Sequence, residues 1–226
     1  MKKAVIVFSL IFLTTFYSQA QLVKSIALKP GIVWATQDWK FHNISAASDY
    51  HYRMGIHLGA NVEFIQHPFI SIVTELGYIP KGYRTEYEHS NENQPEGTGE
   101  MTEEIFTTHY LYITPMLKAR IEFGAFIPYI FLGPRIDYYL SNEMDGGVFF
   151  VGLPEEDMKS MVFGMTYGLG LEYVFGRIGF ALIFSHQYDF TNAFAIDELN
   201  IGPESIKNNA FVLDLGIKYY FRKNSP

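Results

Sequence analysis

The chain has 226 residues, with 17 basic against 24 acidic side chains, no cysteine, and aromatics at 17%. The acidic balance excludes a nucleic-acid binder, which needs a basic patch, and the missing cysteine excludes a disulfide framework and a lipoprotein attachment site. After the first twenty residues no stretch approaches 18 consecutive apolar residues, which excludes a transmembrane helix and leaves a secreted β-protein or an outer-membrane barrel.

Residues 1–20 read as a secretory signal peptide. Lys2 and Lys3 form a basic start, 4–17 is an apolar core, and Ser18-Gln19-Ala20 is a small-x-small cleavage site. The mature domain is expected over 21–226, with a formal charge of −9 once Lys2 and Lys3 are removed.

From there the chain alternates with a period of two, the repeat of a strand with one apolar face. The first expected strand, 22–36, sets Ile26, Leu28, Ile32 and Trp34 against Ser25, Lys29 and Gly31. The second, 52–64, sets Met54, Ile56, Leu58 and Val62 against Arg53, His57, Asn61 and Glu63. The third, 69–83, sets Ile70, Ile72, Leu76 and Tyr78 against Ser71, Glu75, Gly77 and Lys81. A polar stretch over 84–104 follows with seven acids, and it lacks the Asp/Asn/Gly spacing of a calcium loop, so a solvated loop is expected there.

The fourth strand, 106–122, sets Leu111, Ile113, Leu117 and Ile121 against Tyr110, Tyr112, Lys118, Arg120 and Glu122. The fifth, 127–140, sets Ile130, Leu132, Ile136 and Tyr138 against Tyr129, Arg135, Asp137 and Tyr139. The sixth, 161–175, sets Phe163, Tyr167, Leu169 and Leu171 against Gly164, Thr166 and Glu172. Gly176-Arg177 is a two-residue hairpin signal before the seventh, 178–190, whose inner row ends on Gln187 and Asp189. The eighth, 211–221, sets Phe211, Leu213, Leu215, Ile217 and Tyr219 against Val212, Asp214, Gly216 and Lys218.

Connections between these strands alternate long and short, the asymmetry of extracellular loops and periplasmic turns. The expected fold is therefore all-β: an eight-stranded antiparallel transmembrane β-barrel in an up-and-down meander. Its even strand count puts both termini in the periplasm. The inward polar row reads Lys29, Glu63, Glu75, Lys118, Arg120, Glu122, Arg135, Asp137, Glu172, Asp214 and Lys218, with Arg53 and Asp189 beside it. In so narrow a barrel that row is expected to be a paired interior filled by side chains; an ion path or proton relay is the other reading. Asp214 and Lys218 are expected to meet Arg120, Arg135 and Glu172. Trp34, Tyr78, Tyr138, Tyr167, Tyr188, Tyr219 and Phe221 are expected to form interface girdles. Ser185-His186 invites a nucleophile reading, but adjacent strand residues face opposite sides of the wall.

Several of these strands resemble the PorT-like outer-membrane β-barrel family of Gram-negative bacteria, often labelled porin family. The resemblance lies in Thr74-Glu75-Leu76-Gly77-Tyr78 with Lys81-Gly82, and in Tyr110-Leu111-Tyr112-Ile113-Thr114-Pro115-Met116-Leu117-Lys118. It continues through Pro128-Tyr129-Ile130-Phe131-Leu132-Gly133-Pro134, Gly168-Leu169-Gly170-Leu171-Glu172-Tyr173 and the terminal Leu213-Asp214-Leu215-Gly216-Ile217-Lys218-Tyr219-Tyr220-Phe221. It implies an eight-stranded outer-membrane barrel and little about activity, the founding member serving protein secretion. Many such chains end on an aromatic; here five residues extend past Phe221.

The expectation drawn from the sequence is a non-enzymatic barrel without cofactor or metal, in contact with outer-membrane lipid and lipopolysaccharide and binding an envelope protein through its loops. A narrow solute conduit or lipid-binding barrel is the alternative, and an outer-membrane hydrolase stands last.

Overall fold

A computed structural model describes residues 23–41, 50–88, 99, 101–145, 157–194 and 203–221. The expected signal peptide lies outside the described residues. The eight strands are β1 (Val23–Phe41), β2 (Arg53–Gln66), β3 (Ile70–Glu88), β4 (Met101–Arg120), β5 (Phe126–Asp145), β6 (Met161–Phe175), β7 (Ile178–Asp189) and β8 (Pro203–Tyr220). Each pairs antiparallel with its neighbours in chain order, and β8 pairs with β1 to close the ring. Closure matters because an open edge would leave backbone groups without partners in lipid.

Following the ladder from Ser25 through Glu63, Val73, Met116, Gly133, Thr166, Gln187 and Ala210 returns to β1 at Ala35, ten residues further on. A stagger of that size in eight strands inclines them roughly 40° to the barrel axis. It also leaves an interior only wide enough for side chains.

The strands run past their expected bounds at one end of the barrel. β3 and β4 continue together to the pair Glu88↔Met101, so Glu86, Glu88, Glu103 and Glu104 belong to a hairpin ladder and not to a loop. β5 continues to Asp145, β1 to Phe41, and β8 starts already at Pro203. The outward apolar row stops earlier because it marks where lipid stops; the backbone ladder needs no lipid and continues into water. At the other end the connections are short, and Gly124 and Gly176 take φ of 61° and 64°, the left-handed turn conformation that favours glycine.

Odd and even positions separate as the period of two requires. Ile56 is 76% exposed and Leu215 65%, while Arg135 and Asp137 are 0%. The apolar residues face out and the charges face in. Two aromatic bands bracket the apolar wall: Tyr219 pairs with Ile26 near one end, and eight residues away Phe211 pairs with Trp34. That separation is about 20 Å along the axis at the inclination above, close to the apolar belt of an outer-membrane barrel. Tyr78, Tyr138 and Tyr188 stand on the outer face in the band of Trp34, with Tyr167 below them toward the middle of the wall, and Tyr219 and Phe221 in the other. Phe126 and Tyr173, 5.0 Å apart, join the second band.

Glycines permit close strand approach inside the wall. A Cβ on Gly133 would lie 2.0 Å from the Pro115 carbonyl oxygen, whereas on Gly216 its nearest neighbour is the Ala181 Cβ at 3.2 Å. Gly133→Ala is therefore expected to lower stability by about 1–3 kcal/mol or more and Gly216→Ala by less than about 1 kcal/mol. Urea midpoints in detergent micelles check the difference; equal losses would refute the steric account.

Candidate functional site in the lumen

The inward side chains form three charged storeys. In the lowest, Glu63 accepts from Lys218 and from Arg120 Nη1 at 3.2 Å, with Lys118 Nζ 3.7 Å away. Glu172 takes Lys218 at 3.2 Å, Lys118 at 3.4 Å and the Tyr220 hydroxyl. Lys118 Nζ also lies 3.9 Å from the centre of the Tyr129 ring.

The middle storey is a ring of hydrogen bonds closed by an ion pair. Lys29 donates to Glu75 Oε2 at 2.5 Å, and the Tyr112 hydroxyl donates to Glu75 Oε1 at 2.6 Å. His57 Nε2 lies 2.7 Å from that hydroxyl and His57 Nδ1 2.6 Å from Asp214 Oδ1. Asp214 Oδ2 returns to Lys29 at 3.4 Å.

The third storey holds Lys81 between Asp137 at 2.5 Å and Asp189 at 3.1 Å. Arg135 reaches the same two carboxylates, Asp137 through Nε at 2.8 Å and Asp189 through Nη2, and its Nη1 donates to the Met165 carbonyl at 3.2 Å. Asn208 donates to Asp189 at 2.7 Å and accepts from Gln37 at 3.0 Å.

In the three storeys six cations (Lys29, Lys81, Lys118, Arg120, Arg135, Lys218) thus stand with six carboxylates (Glu63, Glu75, Asp137, Glu172, Asp189, Asp214), each within reach of an opposite charge. A buried charge is tolerable only when paired and hydrogen-bonded, so the storeys are what lets this polar row exist in a narrow barrel. An apolar shelf of Val73, Met116, Phe131 and Ile183 separates the two lower storeys. The cavity beside it is about 40 Å³, room for a few waters. At the end of the long extensions the lumen is capped by Tyr83, Phe106, Met158, Phe194 and Ile206, all buried. The Met158↔Phe194 bridge and the Ala193 to Ile206 hydrogen bond hold that cap. Two residues beyond the cap residue Phe106 toward the hairpin tip, Glu104 is buried with neither oxygen bonded among the described residues, and burial pushes its carboxyl pKa up.

The expected polar row is largely brought together, with two corrections. Glu122 does not line the lumen: β4 ends at Arg120, and Glu122 is an exposed rim residue 3.4 Å from Arg120 Nη2. Asp214 meets His57 and Lys29 in place of Arg120 or Arg135, because the register sets Asp214 and His57 on either side of Gly31 of β1, which has no side chain to part them. Lys218 meets Glu172 as expected, and Glu63 as well. His57 and Lys81, inward by parity, are full members of the network, while Gln37 and Asn208 were hidden in segments that polarity alone marks as loop. Ser185 is buried in the lumen, whereas His186 faces outward between Tyr167 at 2.7 Å and Asn209 at 2.5 Å, so the pair shares no face. Among the described residues no group of three or more His, Asp or Glu side chains is placed to hold a metal.

A family model described as outer membrane protein beta-barrel domain matches residues 19–195. No curated protein matches. Among solved structures, the chain is similar to Neisserial surface protein A at 11% identity, covering 87% of this chain and 97% of that one, TM-score 0.46. It is also similar to OprG from Pseudomonas aeruginosa at 12%, covering 89% and 97%, TM-score 0.45. The E. coli outer membrane protein W stands at 16% identity, covering 88% and 99%, TM-score 0.43.

Proposed function

This chain belongs to the outer-membrane protein β-barrel domain family, and we propose that within it the chain is a sealed, non-enzymatic barrel that presents its extended strands to an envelope partner. Both termini are then periplasmic, the turns at Gly124 and Gly176 lie on that side, and the β3–β4 hairpin stands outside the cell. The observation that carries the reading is the lumen, where among the described residues paired charges in three storeys and an aromatic cap fill the interior, with a cavity of about 40 Å³ between the two lower storeys. A conduit needs a continuous wet path, and a hydrolase needs a nucleophile and base on one face. The observed pairing supports neither. The PorT-like resemblance of the strands supports a place beside a secretion assembly, with the wall held by lipid and lipopolysaccharide.

Reconstituted in a planar bilayer, the protein is expected to give no unitary current steps. Steps that persist after repurification would overturn the sealed reading in favour of a narrow conduit. Crosslinking in native membranes tests the partner, which is expected as a protein adduct on the β3–β4 hairpin; lipid adducts alone would remove it.

A further inference from the structure

The barrel wall has a slit. The β2–β3 ladder ends at Leu58↔Tyr78, although β2 continues back to Arg53 and β3 onward to Glu88. The strands meet again at the isolated bridge His51↔Arg84, bonded in both directions at 2.7 and 3.1 Å. Between those points β2 and β3 have no paired residues in the ladder among the described residues. Pro80, which has no N–H to offer, sits in this stretch with its Cγ 2.7 Å from where a Gly55 Cβ would be. The Arg53 guanidinium lies in the same place, its Nη1 and Nη2 3.4 and 3.3 Å from that position.

Arg53 is poorly served by the protein. Its Nη2 donates to the Met54 carbonyl at 3.2 Å, but Nε and Nη1 are buried without a partner among the described residues. A guanidinium with unmet donors asks for an anion that offers two acceptor oxygens, a carboxylate or a phosphate. Glu143, the carboxylate whose field it feels, forms no ion pair with Arg53 among the described residues and is engaged with His109 at 3.3 Å. The slit is also at the right depth. Arg53 pairs with Ala35, one residue above the Trp34↔Met54 pair in the extracellular aromatic band, which is the level of lipid headgroups. Arg84 and His51 close its upper corner, and Tyr78 with His109 its lower one.

We propose that the β2–β3 slit is a phosphate-binding site for the headgroup of an outer-leaflet lipid, with Arg53 as the anion fork. The proposal rests on the membrane placement above and is independent of whether the lumen conducts. A lipid phosphate can accept from one free donor of Arg53 together with the second hydrogen of Nη2, a bidentate edge of the guanidinium, and can fill the interrupted ladder, which lipid tails cannot do.

The test uses the full protein in phosphatidylcholine nanodiscs, with thermal unfolding followed as diphosphorylated lipid A, dephosphorylated lipid A or inorganic phosphate is added. Phosphorylated lipid A is expected to raise the unfolding temperature and the dephosphorylated form not to. Arg53→Gln is expected to weaken the response about tenfold, the loss of a charge-assisted pair. Arg53→Lys, a point charge without a fork, is expected to fall between. Arg177→Gln, in the periplasmic turn, serves as the unchanged control. An equal response in Arg53→Gln, or to dephosphorylated lipid A, overturns the site. Inorganic phosphate reproducing the whole shift would reassign the fork to a free anion and overturn the lipid. Insertion is scored separately by heat-dependent gel migration, so a failure of the membrane reading is distinguishable.

Discussion

Replacing Arg135 with methionine is expected to destabilise the barrel by about 3–5 kcal/mol. Arg135 is fully buried and bonds Asp137, Asp189 and a β6 carbonyl at once. Without it two carboxylates face the single ammonium of Lys81, and one negative charge is left unmatched in the barrel interior. The penalty is that of an orphaned charge, so it has a definite remedy: Arg135→Met combined with Asp137→Asn restores one cation to one anion. The double variant is expected to regain at least about 2 kcal/mol, because Lys81 and Asn208 still serve Asp189. Urea unfolding in lipid vesicles, followed by tryptophan fluorescence, measures both. A loss below about 1 kcal/mol in the single variant, or additive losses in the double, would sink the storey model.

Much of this interior was legible from parity alone. Once Leu213, Leu215 and Ile217 are outward, Asp214 and Lys218 must be inward, and the same rule places Glu63, Glu75 and Arg135. Partners were not legible, since they depend on how far each strand slides against the next. The register of β1 with both its neighbours brings His57 of β2 beside Asp214 of β8 across Gly31, 157 residues away along the chain. Nothing local in either strand encodes that meeting. Strand ends were misjudged for a different reason: polar residues such as Gln37 and Asn208 look like loop, but a ladder above the lipid tolerates them on both faces. Glu122 shows the converse, a residue with the right parity placed just beyond the end of β4, at the rim. The β2–β3 slit gave no sign beyond Pro80, because an interrupted ladder is a relation between two strands.

Leu215→Arg is expected to cost about 2–4 kcal/mol in a lipid bilayer, although Leu215 is 65% exposed and touches little of the protein. It stands on β8 midway between Tyr219 and Phe211, the aromatic positions that mark the two bands, and pairs with Leu182. In water an arginine at so exposed a site would change stability by less than about 0.5 kcal/mol, since no packing is lost and a charge gains solvent. In hydrocarbon the same side chain must be dehydrated or drag water and headgroups to itself. The sign and size of the effect therefore report the solvent around the wall. Unfolding free energies of the wild type and Leu215→Arg in lipid vesicles decide it, with Lys207→Arg, a cation already in place above the band, as the neutral reference. A Leu215→Arg variant as stable as that reference would mean the apolar wall meets something other than lipid, and the membrane placement of the barrel would fall with it.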